Sequence, residues 1–364
     1  MPRRAEAAAL DARILAAIAA WDLDDAGFDA LARDLFVHQV RYNPVYAAFA
    51  ARLGFDETSP PPDWRAVPAL PTIAFKEATV AAFDPADAAL CFETSGTTAS
   101  EAGKHYFETP ALYDAALLAS FARFMLEDGA ALRYLLLIPE RASSSLGYMM
   151  RTVAAARGDG STGWYLRAEA LDVDGFLAAF SAAHSGSVPV CVAGTAFAFV
   201  ALVAALAARG LELQAPRGSR IMETGGFKGR SETVERSVLY AALAQRLGIP
   251  AERIVAEYGM TELTSQYYDA HASRSRIEPR VKVGPPWLRA LVVGADGREV
   301  EVGEVGALRH VDLANRGSAL AIQTEDLALR VDGAGFVLLG RDAEARLRGC
   351  SLDAEDLLAR PQPS

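Results

Sequence analysis

Apolar residues recur at helical spacing through roughly the first 56 positions, in Ala- and Leu-rich runs; Ala5 to Trp21 predicts an amphipathic helix. The pattern then changes. Compact apolar runs at Ala89 to Phe92, Tyr134 to Ile138, Val188 to Ala193, Ser219 to Met222 and Arg253 to Ala256 predict short buried strands. Between them, Tyr113 to Glu127, Ala196 to Arg209 and Ser231 to Leu247 predict helices. Strands alternating with helices imply an α/β fold with a mostly parallel sheet. Past Pro285-Pro286 the texture shifts again. Short strands at Ala290 to Val293, Ala307 to Val311 and Phe336 to Leu339 are separated by Gly and Asp turns, which predicts a small antiparallel β subdomain over about 285–340. Ser59-Pro60-Pro61-Pro62 reads as a turn or short linker within the first part.

One stretch, Val188 to Ala208, carries no charge and is long enough to cross a bilayer. Pro189 and Gly194 interrupt it. It reads better as a buried strand broken at Gly194, then a helix capped by Thr195 and stopped at Gly210. No membrane span is therefore expected. The formal net charge of −10 argues against a nucleic-acid backbone as partner, because phosphates call for a basic surface. Met1-Pro2-Arg3-Arg4 is followed by Glu6 and Asp11, not by the apolar core of a signal peptide. Three cysteines, Cys91, Cys191 and Cys350, form no Cys-x-x-Cys pair, and the five histidines have no metal spacing. Together these fit a reducing cytoplasm.

Two polar segments interrupt the pattern where strands end. The first is Thr94-Ser95-Gly96-Thr97-Thr98-Ala99-Ser100, with Lys104 close behind. Hydroxyls and backbone N–H groups around a glycine can wrap phosphate oxygens, and a lysine adds a mobile positive charge. The same cluster also reads as a polar surface loop. The spacing is not that of a Walker loop. The second is Glu257-Tyr258-Gly259-Met260-Thr261-Glu262. Tyr258 offers a face for a purine, Thr261 a hydroxyl for a phosphate, and Glu262 a carboxylate for Mg²⁺, which takes one or two carboxylates and shares the phosphates. The competing reading makes Thr261 or Glu262 the N-cap of a following helix, which would also favour anions. Thr324-Glu325-Asp326, at the edge of the β subdomain, places a carboxylate where a ribose diol could be held, while Asp332-Gly333 reads as a hairpin turn.

Only four of the 36 basic residues are lysine: Lys76, Lys104, Lys228 and Lys282. Lys104 and Lys228 lie in or just after Gly/Ser/Thr loops. Among the histidines, His105 is distinguished by its place beside Lys104. Gly158-Asp159-Gly160-Ser161-Thr162-Gly163 matches the dinucleotide fingerprint in letters, yet a helical run, Met149 to Arg157, precedes it where a strand is required. Ser143-Ser144-Ser145-Leu146-Gly147 lacks the nucleophile-elbow spacing.

The order of these motifs resembles that of the adenylate-forming superfamily of acyl-CoA synthetases and firefly-type luciferases. Thr94 to Thr98, Gly225-Gly226, Tyr258 to Glu262, and Thr324-Glu325-Asp326 with Gly340-Arg341 match in sequence order. Within it the chain looks most like the LuxE-type acyl-protein synthetases of the bacterial luminescence fatty-acid reductase system. Short length, Phe75-Lys76, Thr224-Gly225-Gly226-Phe227-Lys228 and the ending Leu347-Arg348-Gly349-Cys350-Ser351-Leu352 carry that narrower resemblance. It implies a large layered adenylation domain over 1–340 and a hinge with a lid reduced to a stub over 341–364. It further implies that Thr94, Ser95, Gly96, Thr97, Thr98 and Lys104 touch ATP phosphates. Gly225, Gly226, Phe227 and Lys228 would lie along the nucleotide, as would Tyr258, Gly259 and Met260, with Tyr258 stacked on adenine. Thr261 and Glu262 would serve phosphate and Mg²⁺, and Asp326 and Arg341 the ribose. Ala99 and Glu325 stand where the superfamily usually has glycine. Larger relatives carry a lid lysine; here none of the 23 residues after Arg341 is lysine, so Lys104 and Lys228 are the internal candidates.

The chemistry expected is activation of a carboxylic acid, fatty or otherwise apolar, as its acyl-adenylate, then transfer to a thiol. Cys350, flanked by Arg346 and Arg348, is the internal acceptor candidate; coenzyme A or a carrier protein is the competing one. An acyl reductase or acyltransferase would be the partner. The other readings are a phenylacetate-type acyl-CoA ligase, a nucleotide-binding scaffold without turnover, and an oxidoreductase using Gly158 to Gly163.

Overall fold

A computed structural model describes residues 2–94, 102–167, 170–225, 235–271 and 279–341. The chain divides into two compact units. One is drawn from Leu117–Gly259 and Gln266–Val283, the other from Met1–Ala116, Met260–Ser265 and Gly284–Ser364.

The first of these is the α/β layer. Five strands, Ile254–Tyr258, Arg220–Thr224, Val190–Thr195, Arg133–Pro139 and Gly163–Arg167, lie side by side in that order and run parallel. Antiparallel strands extend both ends: Tyr267–Asp269 with Val281–Val283 on one side, Ala170–Leu171 on the other. Strands Arg133–Pro139 and Val190–Thr195 are apolar along most of their length because helices cover the sheet. Helices Val173–Ser185, Ala196–Ala208 and Arg236–Leu247 contribute Phe176, Phe180, Phe199, Leu202 and Leu243 to a core with Leu135, Val192 and Ile221.

The uncharged stretch resolves as a strand and a helix that buries one face through Ala198, Phe199, Leu202 and Leu206 and leaves Ala201 and Ala204 exposed, with the Thr195 hydroxyl accepting from the Ala198 amide and Gly210 at φ +64°. Gly194 does not break the strand, which continues to Thr195. A Cβ there would lie 2.8 Å from the Leu137 Cβ, so the glycine serves close approach of neighbouring strands. Among the described residues no helix is long and apolar enough to cross a membrane. The dinucleotide look-alike follows helix Ser145–Arg157, not a strand.

In the other unit, three N-terminal helices, Pro2–Ala20, Asp25–Tyr42 and Pro44–Arg52, accompany an antiparallel sheet of Leu288–Val293, Val305–Asp312, Ala321–Arg330 and Phe336–Arg341. Leu70–Pro71 adds a short parallel strand against Ala321–Arg330. A separate hairpin pairs Leu90–Glu93 with Lys104–Phe107. Thr324-Glu325-Asp326 forms no turn. It lies within a ten-residue strand, with Thr324 and Asp326 turned inward and buried. The turn falls at Asp332-Gly333, where Gly333 has φ +83°.

Candidate functional site

The hairpin fixes the residues that flank the Ser/Thr segment. Leu90↔Phe107 through Glu93↔Lys104 are paired, and the neck is closed beyond them. The Thr94 amide donates to the Gly103 carbonyl (2.8 Å), and the Gly103 amide donates to the Thr94 hydroxyl (2.9 Å). Residues 95–101, with Ser95, Gly96, Thr97 and Thr98, lie outside the described residues. Lys104 stands exposed on the neck. Short helix Ala74–Glu77 packs against it, so that a Cβ on Gly103 would come within 3.0 Å of Lys76 Cγ and 3.1 Å of the Phe75 carbonyl.

The next residue, His105, is buried. Its Nδ1 lies 2.8 Å from the Thr261 carbonyl and its Nε2 lies 2.9 Å from the Ser318 hydroxyl. A carbonyl only accepts, so Nδ1 carries the proton and Nε2 accepts from Ser318. Burial pushes the imidazole down to about 4, against a weaker opposing effect of the Thr261 hydrogen bond, and keeps it neutral.

Thr261-Glu262 does not start a helix; a turn leads instead to strand Tyr267–Asp269. Its backbone is held from a distance. Asn315 Nδ2 donates to the Glu262 carbonyl (2.9 Å), and the Thr264 hydroxyl bonds Asn315 Oδ1. The amides of Thr264 and Ser265 donate to Asp312 Oδ2 at 3.0 and 2.8 Å, and the Ser265 hydroxyl to Oδ1 at 2.9 Å. Asp312 is fully enclosed, and burial raises its carboxyl to about 6 despite these donors. Helix Asp25–Tyr42 braces the turn after Asp312: Gln39 donates to the Asn315 carbonyl (2.8 Å). The capping Asn43 donates to the Ser318 carbonyl (3.0 Å). The Thr261 side chain is half-buried and Glu262 is buried.

In the α/β unit, Thr224 and Glu257 end adjacent parallel strands, and the Thr224 hydroxyl donates to the Glu257 carboxylate, buried on both sides. Gly225 follows at φ +82°. Gly226, Phe227 and Lys228 lie outside the described residues. A Cβ on Gly259 would sit 2.6 Å from Glu257 Oε1, so only glycine leaves that carboxylate its place. Tyr258 is 8 % exposed, its ring 6.0 Å from Tyr267. Below it, Asp269 takes the Ala256 amide (2.8 Å) and Lys282 Nζ (2.7 Å), while Lys282 donates to the Ala256 carbonyl (2.7 Å) and Arg280 NH1 lies 2.9 Å from Asp269. Lys282 is thus spent on the fold. The Tyr-Gly-Met-Thr-Glu motif is divided between the units, Tyr258-Gly259 in one and Met260-Thr261-Glu262 in the other.

Asp326 and Arg341 face each other across paired strands, with Nε 2.9 Å from Oδ1; Asp326 is buried and Arg341 half exposed. Of the described cysteines, Cys191 is buried, its thiol pushed up to about 12, and Cys91 is half-buried with its thiol also raised by burial. Cys350 lies outside the described residues.

His105, Asn315 and Asp312 are the site residues that motif reading left without a role. Only His105 carried a signal, its adjacency to Lys104. Asn315 and Asp312 act from 53 and 48 or fewer positions away, and no local pattern marks them.

The family model described as "Acyl-protein synthetase, LuxE" matches residues 8–358. The chain belongs to the LuxE acyl-protein synthetase family. A comparison with curated protein sequences found no match. Among solved structures, this LuxE-family chain is similar to ATP-bound MatB from Rhodopseudomonas palustris, with TM-score 0.51 and 15 % identity over 70 % of this chain and 48 % of MatB. It therefore spans about half of MatB's length. It is also similar to 2-hydroxyisobutyryl-CoA ligase in two states. The open form with 2-HIB-AMP and CoA gives TM-score 0.64 and 12 % identity, covering 87 % of this chain and 74 % of that one. The postadenylation form with R3-HIB-AMP gives 0.63 and 13 %, covering 87 % and 67 %. At such identities the likeness is one of fold, the adenylate-forming fold.

Proposed function

We propose that this chain uses ATP to activate a carboxylic acid as its acyl-adenylate, releasing pyrophosphate, and passes the acyl group to a thiol. The observation that carries this reading is the hydrogen bond from His105 to the Thr261 carbonyl. It brings the Lys104 strand, at the neck of the Ser/Thr loop, against the Thr261-Glu262 loop within one unit. A carboxylate resists attack at neutral pH, and exchange of its oxygen for AMP supplies the leaving group. The protein's part is alignment and stabilisation of the charge that develops at phosphorus. Lys104 supplies a compact cation and Thr261 a hydroxyl. Glu262 would offer Mg²⁺ one carboxylate, the share that ion takes from protein when nucleotide phosphates complete its shell. Bound there, Mg²⁺ would offset phosphate charge.

Asp326 with Arg341, in the same unit as Thr261 and Glu262, would hold the ribose. For the acceptor, burial keeps both described thiols protonated, which favours Cys350 or an external thiol of coenzyme A or a carrier protein. A fatty or other apolar acid is the proposed substrate class, and an acyl reductase, acyltransferase or carrier protein the partner; the setting proposed is the cytoplasm.

The test is ATP–pyrophosphate exchange with Mg²⁺ across a panel of alkyl and aryl acids. Acid-dependent exchange, lost in Lys104→Ala and Glu262→Gln, is expected. Binding of ATP with no exchange for any acid would mark a nucleotide-binding scaffold and sink the ligase reading.

A further inference from the structure

His105 does more than fill a core position. Its ring is enclosed between Phe107, with centroids 4.1 Å apart, and Phe75, 5.6 Å away in an edge contact. Both nitrogens have partners on other segments: the Thr261 carbonyl on one side, the Ser318 hydroxyl on the other. Ser318 closes the turn whose first residue, Asn315, holds the Glu262 carbonyl. Two successive carbonyls, those of Thr261 and Glu262, are thus pinned by side chains from one connected network. Carbonyls fixed in this way set the direction of the Glu262 side chain, whose Cα lies between them, and restrict that of Thr261, whose Cα adjoins the first. At the same time His105 is the strand neighbour of Lys104 and pairs with Phe92, three residues before Ser95. One imidazole therefore fixes both the neck of the Ser/Thr loop and the Thr261-Glu262 loop.

We propose that His105 is a positioning residue of the adenylation step, setting Lys104 relative to Thr261 and Glu262 through its Nδ1–H···O=C bond to Thr261. This rests on the ligase reading above. The ring touches no reacting atom in this role. Its effect falls on alignment in the transition state, where a displacement near 1 Å costs about 100-fold in rate. Ground-state nucleotide binding, spread over many contacts, is touched much less. A purely structural histidine would instead change stability and leave the kcat of folded protein unmoved.

The experiment compares wild type, His105→Phe and His105→Asn. Phenylalanine keeps a ring but no donor. Asparagine keeps an N–H donor near the Nδ1 position. The readouts are kcat and KM for ATP in exchange, ATP binding by calorimetry, and amide hydrogen exchange of the segment 260–265. Expected for His105→Phe is a fall in kcat of about 10- to 100-fold with KM changed less than about 3-fold, and faster hydrogen exchange in 260–265. His105→Asn is expected to recover most of the kcat and the protection. Wild-type kcat in His105→Phe overturns the proposal, as does a loss in His105→Asn equal to that in His105→Phe. Should His105→Phe fail to fold, the asparagine variant decides alone: near-wild-type exchange supports the role, and loss of exchange in folded protein overturns it. If wild type binds ATP but exchanges with no acid, the ligase reading has failed and hydrogen exchange judges the clamp. Protection lost with phenylalanine and kept with asparagine then supports it; protection unchanged overturns it.

Discussion

Acid should weaken the unit that encloses His105 and His310. His105 and His310 are both fully enclosed, and burial lowers each from 6.5 to about 4, for His310 against the opposing charge of Asp326. Unfolded, each would titrate near 6.5, so between pH 6.5 and 4 the unfolded state binds more protons. Stability must then fall as pH drops through that window. Going from pH 7.5 to 5.0, each histidine removes about 2 kcal/mol, or about 4 kcal/mol together. Asp312 acts in the opposite sense. Its carboxyl is raised from 3.8 to about 6, so the folded state takes up the extra proton and returns about 1.4 kcal/mol at pH 5.0. The net loss is about 2.5 kcal/mol. His38, buried and lowered to about 4, adds to it with the same sign. All four groups belong to the unit of Met1–Ala116, Met260–Ser265 and Gly284–Ser364. That unit also contains Trp21, Trp64 and Trp287, and Trp164 is in the other. In a Trp164→Phe background, tryptophan fluorescence therefore follows this unit's urea unfolding. At an m-value of about 2 kcal/mol/M, the midpoint should drop by about 1 M or more between pH 7.5 and 5.0, the excess being the share of His38. His310→Phe should flatten the dependence. A midpoint that stays put or rises at pH 5.0 refutes the reasoning.

Gly259→Ala should drive Glu257 off the Thr224 hydroxyl, costing about 1–3 kcal/mol by overpacking and lowering exchange activity; urea melts and exchange assays check both. Asp269→Asn leaves Lys282 and Arg280 buried without their counter-charge, with an expected cost of about 3–5 kcal/mol in chemical denaturation. An unchanged midpoint there would show that the two cations do not depend on Asp269. For the acceptor, radiolabelled acid with ATP should attach covalently to wild type and not to Cys350→Ser; label retained on the variant excludes that thiol.

Four strands of the parallel layer were legible because they are buried on both faces, whereas the fifth, Gly163–Arg167, is half-exposed and carried no such run. Arg133–Pro139 and Val190–Thr195 read as compact apolar runs, and Thr195 and Gly210 punctuated the following helix as their chemistry requires. Strand Ala321–Arg330 was not legible. Its inward positions include Thr324 and Asp326, so its centre reads as a polar break although both are buried. The Thr324 hydroxyl is satisfied by the Leu308 carbonyl (2.9 Å) and Asp326 lies opposite Arg341, partners that only the folded sheet supplies.

The Thr261-Glu262 loop failed as a helix start for a related reason. A helix N-cap satisfies nearby amides with its own side chain. Here Asp312, from strand Val305–Asp312, accepts the Thr264 and Ser265 amides instead, and the chain needs no helical turn after Glu262. The residues that would meet a nucleotide thus sit in short local motifs, whereas the groups that hold those motifs in place come from distant segments. His105 reaches Thr261 across 156 positions and Gln39 reaches Asn315 across 276. Side-chain identity within a motif therefore limits what chemistry is available. Whether that chemistry is aligned depends on buried polar partners such as His105, whose loss leaves every motif residue intact and should still slow the reaction.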